Sequence, residues 1–196
     1  MTDRAFVVAI AGIPGSGKTT VAQLLSKSFG GARVVYYDQF QTITKMSQEQ
    51  IRAWFARGAD PNEFALTELV DELARQTQTR ADDPSRPLLI FETPFGRLHR
   101  ASGAFIDALV WIDTPLDIAL ARATLAFLAS VRRNEGDQFV RWQTQYMENY
   151  PIIRPMYLAQ REQIASSADL ALDGCRPVEE SVKRIAEALA QRGIAP

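Results

Sequence analysis

The chain reads as a three-layer α/β protein in which a five-stranded parallel sheet is covered by helices on both faces. Three observations predict this. Short apolar, β-branched runs alternate with helical patterns along the whole length, and no hairpin signal interrupts them, which is the pattern of parallel strands joined by crossover helices. The first apolar run leads through a glycine-rich turn straight into a helix. Later runs end on a carboxylate, Asp38, Glu92 or Asp113, at the strand ends where open parallel sheets bind their ligands.

Taken in order, Ala5 to Ala11 is an apolar run suited to a strand buried on both faces. Lys18 to Phe29 follows as a helix with Val21, Leu24 and Leu25 on one side, closed by Gly30-Gly31 as a left-handed cap. Arg33 to Tyr37 is a second β-rich run ending on Asp38. Ser47 to Arg57 reads as a helix capped by Ser47, with Ile51, Trp54 and Phe55 on one face. Asp60-Pro61-Asn62-Glu63 reads as a stronger helix start, with an acidic cap, proline at the first position and Glu at the third; Phe64, Leu66, Leu69, Val70 and Leu73 supply its apolar stripe. Gln76 to Pro87 is polar and turn-rich.

Pro87 to Phe91 is a third strand running into Glu92, and Ala108 to Ile112 a fourth ending at Asp113. Thr114-Pro115-Leu116-Asp117 repeats the capped-start pattern, with Asp113 and Thr114 expected to cap, and Ile118 to Val131 continues as helix. Another helical stretch carries Phe139, Val140, Trp142 and Tyr146 and is expected to break at Pro151 and Pro155. Ala168 to Leu172 forms a fifth strand, and Val178 to Gln191 an amphipathic helix stopped by Gly193.

Composition bounds the function. With 196 residues, 46% hydrophobic and 23% charged, the chain can bury one large core, and no linker-like tract divides it. A single domain over 1–196 is expected, with a lid at about 130–142. A net charge of −1 gives no global field toward nucleic acid or an anionic membrane. Cys175 is the only cysteine, which excludes an intramolecular disulfide and a cysteine-based zinc cluster; it is expected to be a structural residue near a strand end. The N-terminal apolar run is too short to span a membrane and leads into the glycine-rich turn, so a cytoplasmic protein is expected.

The glycine-rich turn carries the chemistry. Gly12-Ile13-Pro14-Gly15-Ser16-Gly17-Lys18-Thr19 fits the phosphate-loop pattern G-x-x-x-x-G-K-[ST] at every fixed position, in the strand–loop–helix context its mechanism needs. A phosphate chain is held when consecutive backbone N–H groups turn inward, and Gly12, Gly15 and Gly17 permit those dihedrals. Lys18 is placed for the β- and γ-phosphates and Thr19 for Mg²⁺; Pro14, Ser16 and Thr20 complete the nucleotide-binding stretch at the positive end of the helix.

Phosphoryl transfer further needs a carboxylate for metal or acceptor and cations for the moving charge. Asp38 is the candidate base, Glu92 the candidate metal or acceptor ligand, and these two roles are exchangeable at this stage. Arg122, Arg132, Arg133 and Arg141 surround Asn134-Glu135-Gly136, a composition suited to a flap that brings arginines over the phosphates. His99 is expected either to contact an acceptor or to cap a helix, and Tyr36, Tyr37, Phe40, Trp54 and Phe95 to lie in the core.

These residues together resemble the uridine kinase-like branch of the P-loop kinases, with phosphoribulokinase, pantothenate kinase and nicotinamide riboside kinase. The resemblance covers most of the chain: the phosphate loop, Asp38 in YYDQF, Asp60-Pro61-Asn62-Glu63-Phe64-Ala65-Leu66, Glu92, IDTPLDIALAR ending at Arg122, Arg154-Pro155-Met156-Tyr157, and ADLALDG. It implies a P-loop NTPase fold with a small helical lid, and ATP-dependent, Mg²⁺-requiring transfer of the γ-phosphoryl to a hydroxyl of a nucleoside-like or vitamin-like metabolite. In it Asp38 and Glu92 serve as base and metal or acceptor contacts, and lid arginines bind phosphate. Three departures separate the chain from uridine kinases. Asp60-Pro61-Asn62 stands where they carry His-Pro-Asp, the interval from Asp38 to Asp60 is short, and Asn134-Glu135-Gly136-Asp137 replaces the lid's Glu-Arg-Gly-Arg. Expected partners are a small-molecule acceptor and, as an option, a second copy in a homodimer; the alternative function is a nucleotide-switched binding module.

Overall fold

The computed structural model describes residues 4–43, 46–78, 88–130 and 136–195. Five strands, β1 (Phe6–Ala11), β2 (Arg33–Tyr36), β3 (Leu88–Thr93), β4 (Ala108–Asp113) and β5 (Leu170–Asp173), form one sheet in the order β2-β3-β1-β4-β5. Every pairing is parallel. The helices are α1 (Lys18–Ser28), α2 (Gln48–Ala56), α3 (Thr67–Thr77), α4 (Arg100–Gly103), α5 (Leu116–Ser130), α6 (Gly136–Ser166) and α7 (Val178–Ala190).

β1 is buried at all six positions, and its period-2 alternation divides the core between two layers. Val7, Ala9 and Ala11 face a cluster that includes Trp54 of α2, Leu69 and Leu73 of α3 and Ile164 of α6. Phe6, Val8 and Ile10 face Val21 and Leu25 of α1 and Ile185 and Leu189 of α7. β1 lies at the centre because an apolar run without polar interruption can only be covered on both sides. Among the described residues no helix is long and apolar enough to cross a membrane.

Most predicted elements are present, and the differences have local causes. Ser47 caps α2 in a complete capping box with Gln50, as its sequence implied. Asp60-Pro61-Asn62-Glu63 does not start the next helix. It closes a single 3-10 turn, Pro61–Glu63, after which Phe64 is extended and Leu66 takes φ 45° before α3 begins at Thr67. Tertiary bonds hold the chain there: the Trp54 indole donates to the Asp60 carbonyl, and Asn62 donates to the Leu98 carbonyl while accepting from the Arg100 N–H. Local capping preference yields to these non-local partners. The polar stretch from Gln76 opens within α3, and residues 79–87 lie outside the described set. Glu92 lies inside β3, one residue before its end.

The expected break at the prolines is also absent, since α6 runs through both Pro151 and Pro155. Each proline removes one backbone bond to the carbonyl four residues earlier. Both prolines are exposed, and Met147, whose carbonyl faces Pro151, is 37% exposed, so water can take the bonds that the helix loses. Of the lid expected at 130–142, residues 131–135 are not described and 136 onward already belongs to α6.

Because a helix-interior proline opposes helix formation by up to about 3 kcal/mol relative to alanine, Pro151→Ala should raise the urea midpoint of unfolding. A lowered midpoint would mean that the fold needs a bend at that position.

Candidate active site

The phosphate loop is shaped by what lies beneath it. Gly15 has φ 81°, and a Cβ there would collide with the Ala119 carbonyl oxygen of α5, so the loop lies directly on the α5 backbone. A Cβ on Gly12 would meet the Ser16 hydroxyl and the Ile112 carbonyl of β4. The Ser16 N–H donates to the Ile13 carbonyl at 3.0 Å, closing the turn. On the outer side of the same segment, Thr114 Oγ1, buried at the end of β4, donates to the Ser16 carbonyl at 3.3 Å. A trans peptide points its N–H opposite to its carbonyl, so this bond turns the Gly17 N–H away from Thr114. Gly17 then opens α1 with φ 98°, where the first-turn N–H groups have no intrahelical partner and the helix dipole is positive. The Ser16 hydroxyl is itself buried without a hydrogen-bond partner, an orphan donor of the kind a bound oxyanion satisfies.

Lys18 is 9% exposed. Its Nζ donates to the Ile13 carbonyl at 3.2 Å and stands 3.7 Å from Glu92 Oε1. Glu92 is 4% exposed, and its register partner on β2 is Tyr36, so Asp38, two residues further on, reaches the same rim from the neighbouring strand. Burial pushes the Lys18 ammonium below its usual range, opposed by attraction to Glu92 and then Asp38. Burial likewise pushes the Glu92 carboxyl up; Lys18 opposes this and Asp38 adds to it. Desolvation therefore outweighs mutual attraction for both partners, and the pair is under-solvated. Asp38 is exposed in the turn Tyr37–Gln39, while the neighbouring Tyr37 hydroxyl is buried without a partner. Burial and then the Asp38 charge hold that phenol well above its ordinary range. The Tyr37 ring sits edge-on to Phe95, with centroids 5.3 Å apart.

Of the remaining expectations, Pro14, Thr19 and Thr20 are exposed on the loop and the first turn of α1. Arg122 is exposed on α5 and donates to the Gly174 carbonyl at 2.8 Å; Arg141 is exposed on α6. Arg132 and Arg133 lie outside the described residues. Asp113 does not spend its carboxylate on a cap: Arg161 of α6 grips both of its oxygens at 2.7 and 2.8 Å. His99 takes the capping role. It is buried, its Nδ1 accepts from Ser102 and its Nε2 donates to the Phe64 carbonyl at 3.0 Å. Tyr37, Trp54 and Phe95 are core, whereas Tyr36 and Phe40 are half-buried. Cys175 is exposed just past β5.

Sequence reasoning missed the support. Thr114 reads as a cap, yet its hydroxyl holds the phosphate loop, and Gly174 behind it has no room for a Cβ because Thr114 Oγ1 occupies the space. The one available signal was its position next to the rim at the end of the fourth strand. Among the described residues no group of three or more His, Cys, Asp or Glu side chains could hold a metal. A Mg²⁺ ion here would draw ligands from bound phosphate and water besides Thr19 and a carboxylate, the usual manner of that ion.

No protein-family profile matches the chain. A protein named adenylate kinase from Leifsonia xyli is 25% identical over 201 residues, covering 95% of this chain and 94% of that protein. Among solved structures, the shikimate kinase of Aquifex aeolicus superposes with a TM-score of 0.51 at 21% identity, covering 97% of this chain and all of that one. A sugar kinase from Janibacter gives 0.52 at 20%, covering 98% of this chain and 96% of that one. The likeness to these structures is one of fold, and the five-stranded parallel sheet flanked by helices is common to them.

The under-solvated pair makes a stability prediction. Lys18→Met leaves Glu92 buried without its counter-ion and should cost about 3 kcal/mol at neutral pH, whereas Lys18→Met with Glu92→Gln should recover wild-type stability or exceed it. Because burial holds Glu92 above 4.5 in the fold and the variant removes the opposing Lys18 charge, the deficit of the single variant should be absent below 4.5, grow as pH rises from there to the raised pKa, and stay constant above it. Urea unfolding across pH reads both effects, and a double variant as unstable as the single would show that the pair is a net stabiliser.

Proposed function

We propose that the chain is an ATP-dependent small-molecule kinase that moves the γ-phosphoryl of ATP to a hydroxyl of a nucleoside-like or vitamin-like metabolite. The observation that carries this reading is the meeting, at Lys18, of Glu92 3.7 Å away and the field of Asp38. A nucleotide switch needs the phosphate loop and its lysine, but it has no use for a second, solvent-exposed carboxylate where an acceptor would stand. The similar proteins are named for three different acceptors, an adenylate, shikimate and a sugar. They support phosphoryl transfer as the class of reaction, while the narrower uridine kinase-like reading rests on the motifs of this chain.

In this reading the loop N–H groups of Gly15 to Thr19 and the Ser16 hydroxyl bind the phosphate chain, and Lys18 turns from Glu92 toward the β- and γ-oxygens. Magnesium, held by Thr19 and a carboxylate, supplies charge neutralisation when bound. Asp38 accepts the proton of the acceptor hydroxyl as its oxygen attacks the γ-phosphorus, and ADP leaves with the bonding electron pair. Glu92 holds the metal or grips the acceptor. Arg122, Arg132 and Arg133 neutralise the transferring phosphoryl, and the lid that carries the last two excludes water. The setting is the cytoplasm, with a small molecule as partner and no role for nucleic acid or membrane.

A screen of ADP release across nucleosides, vitamin precursors and sugars tests the reading, with an acceptor expected to accelerate release by orders of magnitude. ADP release that no acceptor accelerates would point instead to a switch. Lys18→Ala should abolish turnover, and Asp38→Asn should lower it about 100- to 10,000-fold with ATP affinity kept; near-normal rates in Asp38→Asn would remove that residue from the chemistry. Thr114→Val should weaken ATP binding about tenfold, the equivalent of about 1.4 kcal/mol, with Thr114→Ser restoring it. Equal affinities for the two variants would show that the hydroxyl does not orient the loop.

A further inference from the structure

Among the described residues, the exposed large hydrophobic side chains are gathered in one region: all seven lie on α5 or α6. Leu125 is 65% exposed and Val140 58%. At 3.6 residues per turn, Ile118, Leu125 and Leu128 fall within about 80° on α5, and Val140 and Met147 within about 20° on α6. Both ridges stand about 100° or more around their helices from the buried residues Ala119 and Ile164. Exposed apolar side chains concentrated in this way mark an interaction surface.

The two helices lie side by side and run in opposite directions. Gln143 of α6 donates to Thr124 of α5 at 3.3 Å, and Tyr150 stands in the field of Asp117, so residue numbers rise along one helix as they fall along the other. The charges at the margin have mixed signs: Asp117 and Arg122 are exposed on α5, Arg141 and Glu148 on α6. A helix made for a membrane surface carries Lys and Arg along its polar side instead. The spacing here matches the face to itself. Val140 and Met147 are seven residues apart, and next to each of them Arg141 and Glu148 are also seven apart, with opposite charge. Turned end for end against a copy of itself, α6 sets Val140 beside Met147 and Arg141 beside Glu148, each contact made twice. The same rotation sets Leu125 of α5 beside the small, exposed Ala121 of the copy, and Ile118 beside Leu128.

We propose that this face is an interface with a second copy of the chain, in which α5 and α6 meet their counterparts antiparallel about a two-fold axis. Apolar side chains form its centre, and two Arg141–Glu148 pairs lie at its rim, where charge selects the partner and its orientation more than it adds affinity. Two short helical faces make a small contact, so the dimer dissociates in the micromolar range. The pairing uses no residue named in the proposed phosphoryl transfer and stands or falls apart from it.

Sedimentation velocity of the full chain over a concentration series tests the interface. The sedimentation coefficient should rise from that of a monomer to that of a dimer. Leu125→Glu should raise the dissociation constant at least about tenfold by burying a charge in the contact, while the melting temperature of the dilute monomer is kept, as expected of an exposed position. Arg141→Glu and Glu148→Arg each set like charges against each other twice, and each should weaken the dimer at least about tenfold. An equimolar mixture of these two variants should dimerise more tightly than either variant alone, because each then meets its complement; an ion pair within one chain is not repaired by mixing. A chain that stays monomeric at every concentration, a dimer indifferent to Leu125→Glu, or a mixture no tighter than its components would each overturn the proposal, the first by leaving the face to a different partner.

Discussion

The ammonium of Lys18 sits in a nearly closed space, and much of the architecture follows from making that tolerable. A buried cation needs a counter-charge and a carbonyl, which Glu92 and Ile13 supply. Glu92 can stand there only because β3 is inserted between β1 and β2, adjacent to the strand that carries the loop. The same insertion brings the end of β2, and with it Asp38, to the far side of Glu92. One lysine and two carboxylates, separated by 20 to 74 positions in the chain, thereby share one rim. Both members of the buried pair are shifted toward neutrality, so the arrangement is poor in stabilisation and ready for an anion that would solvate the lysine better than the protein does.

Behind that rim lies a layer of rigid support. The loop rests on the α5 backbone at Gly15, and Thr114 fixes its outer edge. One residue earlier, Asp113 is clamped by Arg161 of α6. The end of β4 thus bonds on one side to the loop and on the other to α6. Such a short connection can couple the two only if both ends have alternative arrangements; what is present here is the covalent adjacency of Asp113 and Thr114 and the geometry of their bonds.

Much of this was legible in the sequence, for reasons that differ from residue to residue. The buried run before Gly12 and the alternation of strands with helices give the sheet, because burial on both faces leaves a strand no polar positions. The spacing from Gly12 to Thr19 gives the loop, because its mechanism fixes the residues. Asp38 and Glu92 could be placed on one rim from strand ends alone, although the extension of β3 past Glu92 could not. What could not be read was tertiary. The motif at Asp60 has every local mark of a helix start and yields to Trp54, Asn62 and Phe64 bonding elsewhere. The prolines of α6 mark a break by local rules, but a long helix whose outer face is in water carries them. Thr114 and His99 are ambiguous because a hydroxyl or imidazole at a helix start can cap or reach across, and only the fold decides.

The insertion of β3 also bears on how the chain assembles. β1 and β2 follow each other in sequence but never pair; Phe6 finds its partner at Leu88 and Val8 at Ala108. As the chain emerges from the ribosome, the strand that carries the phosphate loop therefore stays without a neighbour until the middle of the protein has been made, a long-range closure that slows folding. The loop that looks most local in sequence thus waits for residues 88 to 119 before its surroundings are complete, and for that interval β1 is an apolar strand with unpaired edges.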